Sequence, residues 1–357
     1  MKIFPTSLDK NIQYPQFSKC GYTSHLFYKN CLEKYSSGVT TTTVEHADVI
    51  CLFVTVLGTD YSFDHVMAKN IESSKKPVVI FDFTEYGGWE NVYISQYNIV
   101  GEVVENKNCV AGDYLFLHQF LESIRARILT YFKREMSVLD YSKIQTKVRP
   151  LEFITDSYPA EYTPQTENDF YKRQFLYSFI WGYSNISRPL LHAKLMAEYQ
   201  NMNCNLVLTK EQATVYQMEN RKHMVLLLNV DWFERMSMDV VYKIQKNAFG
   251  TIDLFGAGLK CFRNVESSYD TISFKQSPDR LVFTYPWVNG ENCIFLPSKD
   301  NNNLLDIEES YKVLHTYVKD KFSDLYTIYV NSCEINMKYH PENYVPNHII
   351  KNIQNEL

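Results

Sequence analysis

Ala47-Asp-Val-Ile-Cys-Leu-Phe-Val-Thr55 is a continuous apolar run, and Lys76-Pro-Val-Val-Ile-Phe-Asp82 answers it after a stretch, Phe63 to Ser73, with the spacing of a helix. Strands apolar on both faces belong to parallel sheets covered on both sides, and a helical crossover is what joins parallel neighbours. The three segments therefore predict a βαβ unit. Asp82, Thr84, Glu85, Gly87 and Gly88 follow the second run directly, where open parallel sheets place their ligand loops. Asp82 and Glu85 are the first candidate functional carboxylates, although a solvated turn uses the same residues.

Outward from this unit the α/β rhythm continues. Phe116, Phe120, Ile124, Ile128 and Phe132 recur every four residues and predict one long helix from Tyr114 to Met136. Pro150, Pro159 and Pro164 interrupt the polar stretch from Thr146 to Thr166 and set a domain boundary near 150, giving domains 1–149 and 150–357. Beyond it the sequence predicts helices over Asn168–Trp181 and Ser187–Gln200, the second capped by Ser187 with Pro189 in its first turn. Strands are expected at Asn203–Thr209, His223–Val230, Gly250–Phe255, Arg280–Tyr285 and Cys293–Leu296. A helix from Ser237 carries Met238, Val241, Ile244 and Ala248 on one face, and another starts at Asp306 with Glu309 at capping-box spacing.

With 357 residues, 45% hydrophobic and 22% charged, the chain has the size of two folded domains and excludes a disordered or low-complexity protein. The aromatic share of 15%, from 27 Tyr, 22 Phe and 4 Trp, is high. A formal charge of −5 offers no extended nucleic-acid surface, while leaving room for a local basic site. The eight cysteines form no CxxC and no Cys/His cluster, so no metal site is read from them. Free thiols within apolar runs, no apolar leader and no membrane-span-length stretch predict a cytoplasmic protein.

Three motifs can carry chemistry. In Gly256-Ala-Gly258-Leu-Lys260-Cys-Phe-Arg263, after a predicted strand, the glycines let main-chain N–H groups approach an anion, and Lys260 and Arg263 can flank one phosphate. A plain strand-to-helix turn suits the same pattern. In Tyr285-Pro-Trp-Val-Asn-Gly-Glu291-Asn292-Cys-Ile-Phe-Leu, the Asn-Gly turn puts Glu291 and Asn292 at a strand's mouth, where they can grip hydroxyls or simply complete a turn. In Trp181-Gly-Tyr-Ser-Asn-Ile-Ser-Arg188-Pro-Leu-Leu-His192, Arg188 at a helix start can meet a phosphate or point to solvent. His192 reads as a satisfied histidine rather than a base.

On these residues, mostly over 168–350, the chain resembles the GT-B-fold glycosyltransferases. The resemblance implies an α/β fold of two Rossmann-like domains facing each other across a cleft. It makes the N-terminal domain the acceptor side and the C-terminal domain the nucleotide-sugar side, with the last helices, near 335–357, returning to the N-terminal domain. It further implies metal-independent transfer, without a cofactor, of a sugar from a nucleoside-diphosphate sugar to a glycan or other hydroxyl acceptor. Lys260 and Arg263, cradled by Gly256 and Gly258, would neutralise the departing diphosphate, Glu291 or Asn292 would hold ribose or sugar hydroxyls, and Arg188 would approach the phosphates. Asp82 or Glu85 would serve as general base in an inverting reaction. Many retaining members carry two glutamates eight apart in the donor site; Glu211 and Glu219 have that spacing in a different segment, so stereochemistry is not assigned.

Two other readings stay open. His46-Ala-Asp-Val-Ile with Ser74-Lys-Lys-Pro-Val-Val also resembles deoxyribosyltransferase- or TIR-like nucleotide-cleaving domains, with Asp64 and Glu72 as loose candidates for their helical carboxylate. A non-catalytic two-domain binding protein would use the tyrosines as an interface.

Overall fold

Two all-parallel sheets, each in its own unit, organise the chain. The computed structural model describes residues 1–10, 30–35, 39–54, 62–82, 111–133, 148–151, 163–181, 186–201, 205–207, 224–229, 243–254, 270–277, 287–299 and 304–357. One unit holds Met1–Phe153 and Pro341–Leu357, the other Ile154–Asp279 and Thr284–His340.

The first sheet runs β1 (Ile3–Ser7), β2 (Val49–Val54), β3 (Val78–Asp82), β4 (Ile128–Lys133) and β5 (Val148–Pro150) in that spatial order, every pair parallel. Right-handed crossovers in a sheet that always advances the same way lie on one face. Accordingly α1 (His65–Ser74) and α2 (Ala111–Ser123) share one core: Ala68 and Ile71 of α1 and Leu117, Phe120 and Leu121 of α2 meet Ile50, Leu52, Val54, Val78, Ile80 and Tyr131. The alternate residues Phe53, Phe81 and Phe132 are paired in register and stack at 5.0 and 4.9 Å, a buried ladder across three strands. The helix Lys351–Glu356 packs against β4, and its Glu356 accepts from Arg149 of β5 at 2.5 Å.

The long helix expected from Tyr114 does not form. It stops at Ser123, and Ile128–Lys133 is β4. A spacing of four fits a period of two as well as one of 3.6, and the run Ile-Leu-Thr-Tyr-Phe is β-branched and aromatic, so strand wins. The 3₁₀ turn Arg125–Arg127 between them lets Arg127 donate to the carbonyls of Ile71, in the last turn of α1, and Lys76, just beyond it, at 3.2 and 3.1 Å.

In the second sheet β6 (Phe175–Trp181), β7 (Asn205–Val207), β8 (Met224–Asn229), β9 (Ala248–Asp253), β10 (Ile272–Gln276) and β11 (Ile294–Leu296) lie in the order β11-β10-β9-β6-β8-β7. β6 is the pivot: the chain leaves it toward β7 and β8 on one side and resumes at β9 on the other. The sequence assigned Phe175–Trp181 to a helix; only α3 (Glu167–Phe170) is helical there, because Phe-Leu-Tyr-Ser-Phe-Ile-Trp is a strand buried on both faces. Ala248, expected on a helix, opens β9. The strand expected at 280–285 lies outside the described residues. Gly250 lets β9 and β10 pack as they do, since a Cβ there would stand 2.1 Å from the Phe274 ring.

The helices α4 (Ser187–Asn201), α5 (Ile307–Lys319) and α6 (Leu325–Lys338) supply Leu191, Leu195, Leu314, Ile328 and Tyr329 to this unit's core. Asp306 caps α5 by accepting from Glu309 N at 3.1 Å.

Candidate functional site

A parallel sheet whose chain direction reverses opens a crevice at the carboxyl ends of the two strands flanking the reversal, because the loops leave in opposite directions. In the second unit those strands are β6, ending at Trp181, and β9, ending at Asp253. Ser187 and Arg188 begin α4 just after β6. The Arg188 guanidinium is half-buried and Nη2 donates to the Leu254 carbonyl, one residue beyond β9, at 2.8 Å. The basic helix start is thus tied to the root of the Gly256–Arg263 segment. The Ser187 hydroxyl accepts from Leu305 N at 3.0 Å, fastening α4 to the two-stranded ribbon of Ser298–Lys299 and Leu304–Leu305.

Gly256, Gly258, Lys260, Arg263 and Glu85 lie outside the described residues, as do Glu211 and Glu219. Asp82 is the last residue of β3, in register with Val54 and Lys133, at the carboxyl end of the first sheet's central strand. Glu291 and Asn292 are not brought to the end of the sheet where Arg188 stands. They directly precede β11 and so belong to its amino-end side. Asn292 is buried and its Oδ1 accepts from Val288 N at 2.8 Å, while Asn289 Oδ1 accepts from Phe295 N at 2.8 Å and Gly290 turns at φ +79°. The Glu291 carbonyl accepts from Asn331 Nδ2 of α6 at 2.8 Å, and its side chain is exposed.

The histidine set aside on sequence grounds stands close to the switch point. Trp181 Nε1 donates to His192 Nδ1 at 3.0 Å, and burial pushes the imidazole below its ordinary pKa, so the ring is neutral. A histidine four residues after a helix-start arginine is the only sequence signal that pointed to it.

The opposite, amino, edge of the sheet carries a different kind of chemistry. Arg173, buried just before β6, donates to the carbonyls of Ala248 and Asp270 at 2.8 and 2.6 Å, to Asp270 Oδ1 at 3.1 Å and to Gln165 Oε1 at 3.0 Å. Tyr329 donates to the same Asp270 oxygen, and its ring and that of Phe170 lie 4.6 and 4.8 Å from the guanidinium. Asp270 holds φ +54°, a left-handed conformation that aspartate tolerates better than most side chains.

In the first unit the carboxylates of the nucleotide-cleaving alternative have structural partners. Asp64 Oδ1 caps α1, accepting from Val66 N and Met67 N at 3.0 Å each, and Glu72 near the other end of α1 accepts from Ser123 Oγ at 2.5 Å. Tyr171 and Tyr326, both half-buried, donate to Ser323 O and Gln165 O beside the rings of Phe170, Phe249 and Phe322.

No protein-family model matches the chain, and no curated protein is similar to it in sequence. Among solved structures it is similar to an alpha-glucosyltransferase in complex with UDP and a 13-mer DNA, at 9% identity and TM-score 0.42, over 88% of this chain and 81% of that one. It is likewise similar to an alpha1,3-fucosyltransferase, at 10% identity and TM-score 0.41, over 93% and 82%. A third likeness is to a UDP-forming trehalose-phosphate synthase from Burkholderia xenovorans, at 9% identity and TM-score 0.42, over 86% and 74%. Among the described residues no helix is long and apolar enough to cross a membrane, and no group of His, Cys, Asp and Glu is arranged to hold a metal ion.

Proposed function

We propose that the chain is a glycosyltransferase that takes a nucleoside-diphosphate sugar at the switch point of its second sheet and passes the sugar to a hydroxyl acceptor. The observation that supports this reading is the Arg188–Leu254 bond, which joins a cationic helix start to the strand end from which Gly256, Gly258, Lys260 and Arg263 continue. Breaking the bond between an anomeric carbon and a diphosphate builds negative charge on the leaving group, and fixed cations and N–H donors stabilise it without a metal or cofactor. In an inverting reaction Asp82 or Glu85 takes the acceptor's proton. Cys51 and Cys293 are buried free thiols, which suits a reducing cytoplasm.

The test is thermal unfolding of the full chain with UDP, GDP or pyrophosphate, with and without EDTA. A ligand of the native state at a hundredfold excess over Kd adds about 2.7 kcal/mol of stability, so a clear rise in Tm that EDTA leaves unchanged is expected, together with UDP or GDP release from a matching nucleotide sugar. No rise with any of the three ligands overturns the reading.

A further inference from the structure

The rings of Trp181 and His192 meet edge to face, with centroids 5.5 Å apart at 67°. An indole nitrogen only donates, so His192 Nδ1, 3.0 Å away, must be the unprotonated nitrogen, and the proton of the neutral ring sits on Nε2. Among the described residues this is the ring's one hydrogen bond, and His192 is half-buried. Arg188 and His192 are four apart on α4, hence neighbours on one side of the helix. One reaches the end of β9 and the other the end of β6, the two strands that flank the switch point.

We propose that His192 Nε2–H is a ligand-binding donor, held in its tautomer by Trp181, that bonds an uncharged oxygen of the nucleotide sugar. A neutral donor adds nothing to charge neutralisation, for which Arg188 is the cation at hand. It suits a base carbonyl or a ribose or sugar hydroxyl. The inference rests on the nucleotide-sugar reading above and adds the part of the ligand that is not phosphate.

The test compares His192→Asn and His192→Gln in the full chain by calorimetry with pyrophosphate, UDP and UDP-glucose. The asparagine amide oxygen can still accept from Trp181 but places no donor where Nε2 stood; the glutamine amide nitrogen replaces that donor. His192→Asn is expected to weaken UDP about tenfold and to leave pyrophosphate unchanged, while His192→Gln stays within about threefold of the native protein for all three. Equal weakening of UDP and UDP-glucose places the oxygen in the nucleoside; weakening of UDP-glucose alone places it in the sugar. Nitrogen-15 NMR of the imidazole checks the tautomer, and loss of the Nε2–H form in Trp181→Phe supports the lock. Unchanged UDP and UDP-glucose affinity in His192→Asn, or an equal loss for pyrophosphate, overturns the proposal. If the native protein binds UDP no better than GDP, the GDP ligands replace the UDP ones in the same comparison, and if it binds none of UDP, GDP and pyrophosphate the nucleotide-sugar reading itself falls.

Discussion

The two edges of the second sheet are built on opposite plans. At the amino edge Arg173, Asp270, Gln165 and Tyr329 form a buried cluster in which one guanidinium satisfies two main-chain carbonyls and two side chains. At the carboxyl edge, among the described residues, Arg188 donates to the Leu254 carbonyl and Trp181 to His192. The amino edge is closed by a buried ion pair, and the carboxyl edge is the place where a parallel sheet opens. Stability and ligand affinity should therefore respond separately to substitutions at the two edges.

The largest effect is expected from Arg173→Met. Removing one member of a buried pair strands the other, at a cost of about 3–5 kcal/mol, read as a fall in the urea midpoint of the full chain with nucleotide affinity of the folded protein retained. A loss below about 1 kcal/mol would show that the amino edge does not carry the fold. Midway between the edges, Gly250→Ala drives a methyl into the Phe274 ring and should cost about 1–3 kcal/mol in the same measurement, again without a change in affinity. Arg188→Ala reverses the pattern: about 1 kcal/mol or less of stability, and a loss of roughly tenfold or more in pyrophosphate affinity. Should Arg188→Ala weaken the fold as much as Arg173→Met while binding pyrophosphate normally, the contrast between the edges would be broken.

The smallest expected effect is a pH dependence. The folded pKa of His192 is lowered from its ordinary 6.5 by burial, so the unfolded chain binds its proton first. Its contribution to stability is complete above pH 6.5 and is lost as the pH falls through the folded value. Thermal unfolding across that range should show a decline that is shallower in His192→Gln, and an identical slope in both proteins would remove the buried neutral imidazole from this account.

How much of this the sequence disclosed follows from where each signal lies. β2 and β3 were legible because a continuous apolar run has few other uses, and the cap of α5 because Asp306 and Glu309 act locally. β4 and β6 were misread as helix, their aromatic residues fitting either period. β10 was missed: Ile-Ser-Phe-Lys-Gln looks half exposed, yet Lys275 is buried with Nζ 3.7 Å above the Trp287 ring. Arg188 was legible as a helix-start cation, but its partner is a main-chain carbonyl far along the chain, and every residue has a carbonyl. The Arg173–Asp270 pair was invisible for the same reason of distance.

The return of residues 341–357 to the first unit has a consequence for synthesis. A ribosome makes residues 1–153 before the second unit, but β4 and β5 meet Lys351–Glu356 only after residues 154–340 have emerged. The unit begun before the second is completed after it, so during translation it waits with part of its final packing absent and depends on the second unit being made before it can close.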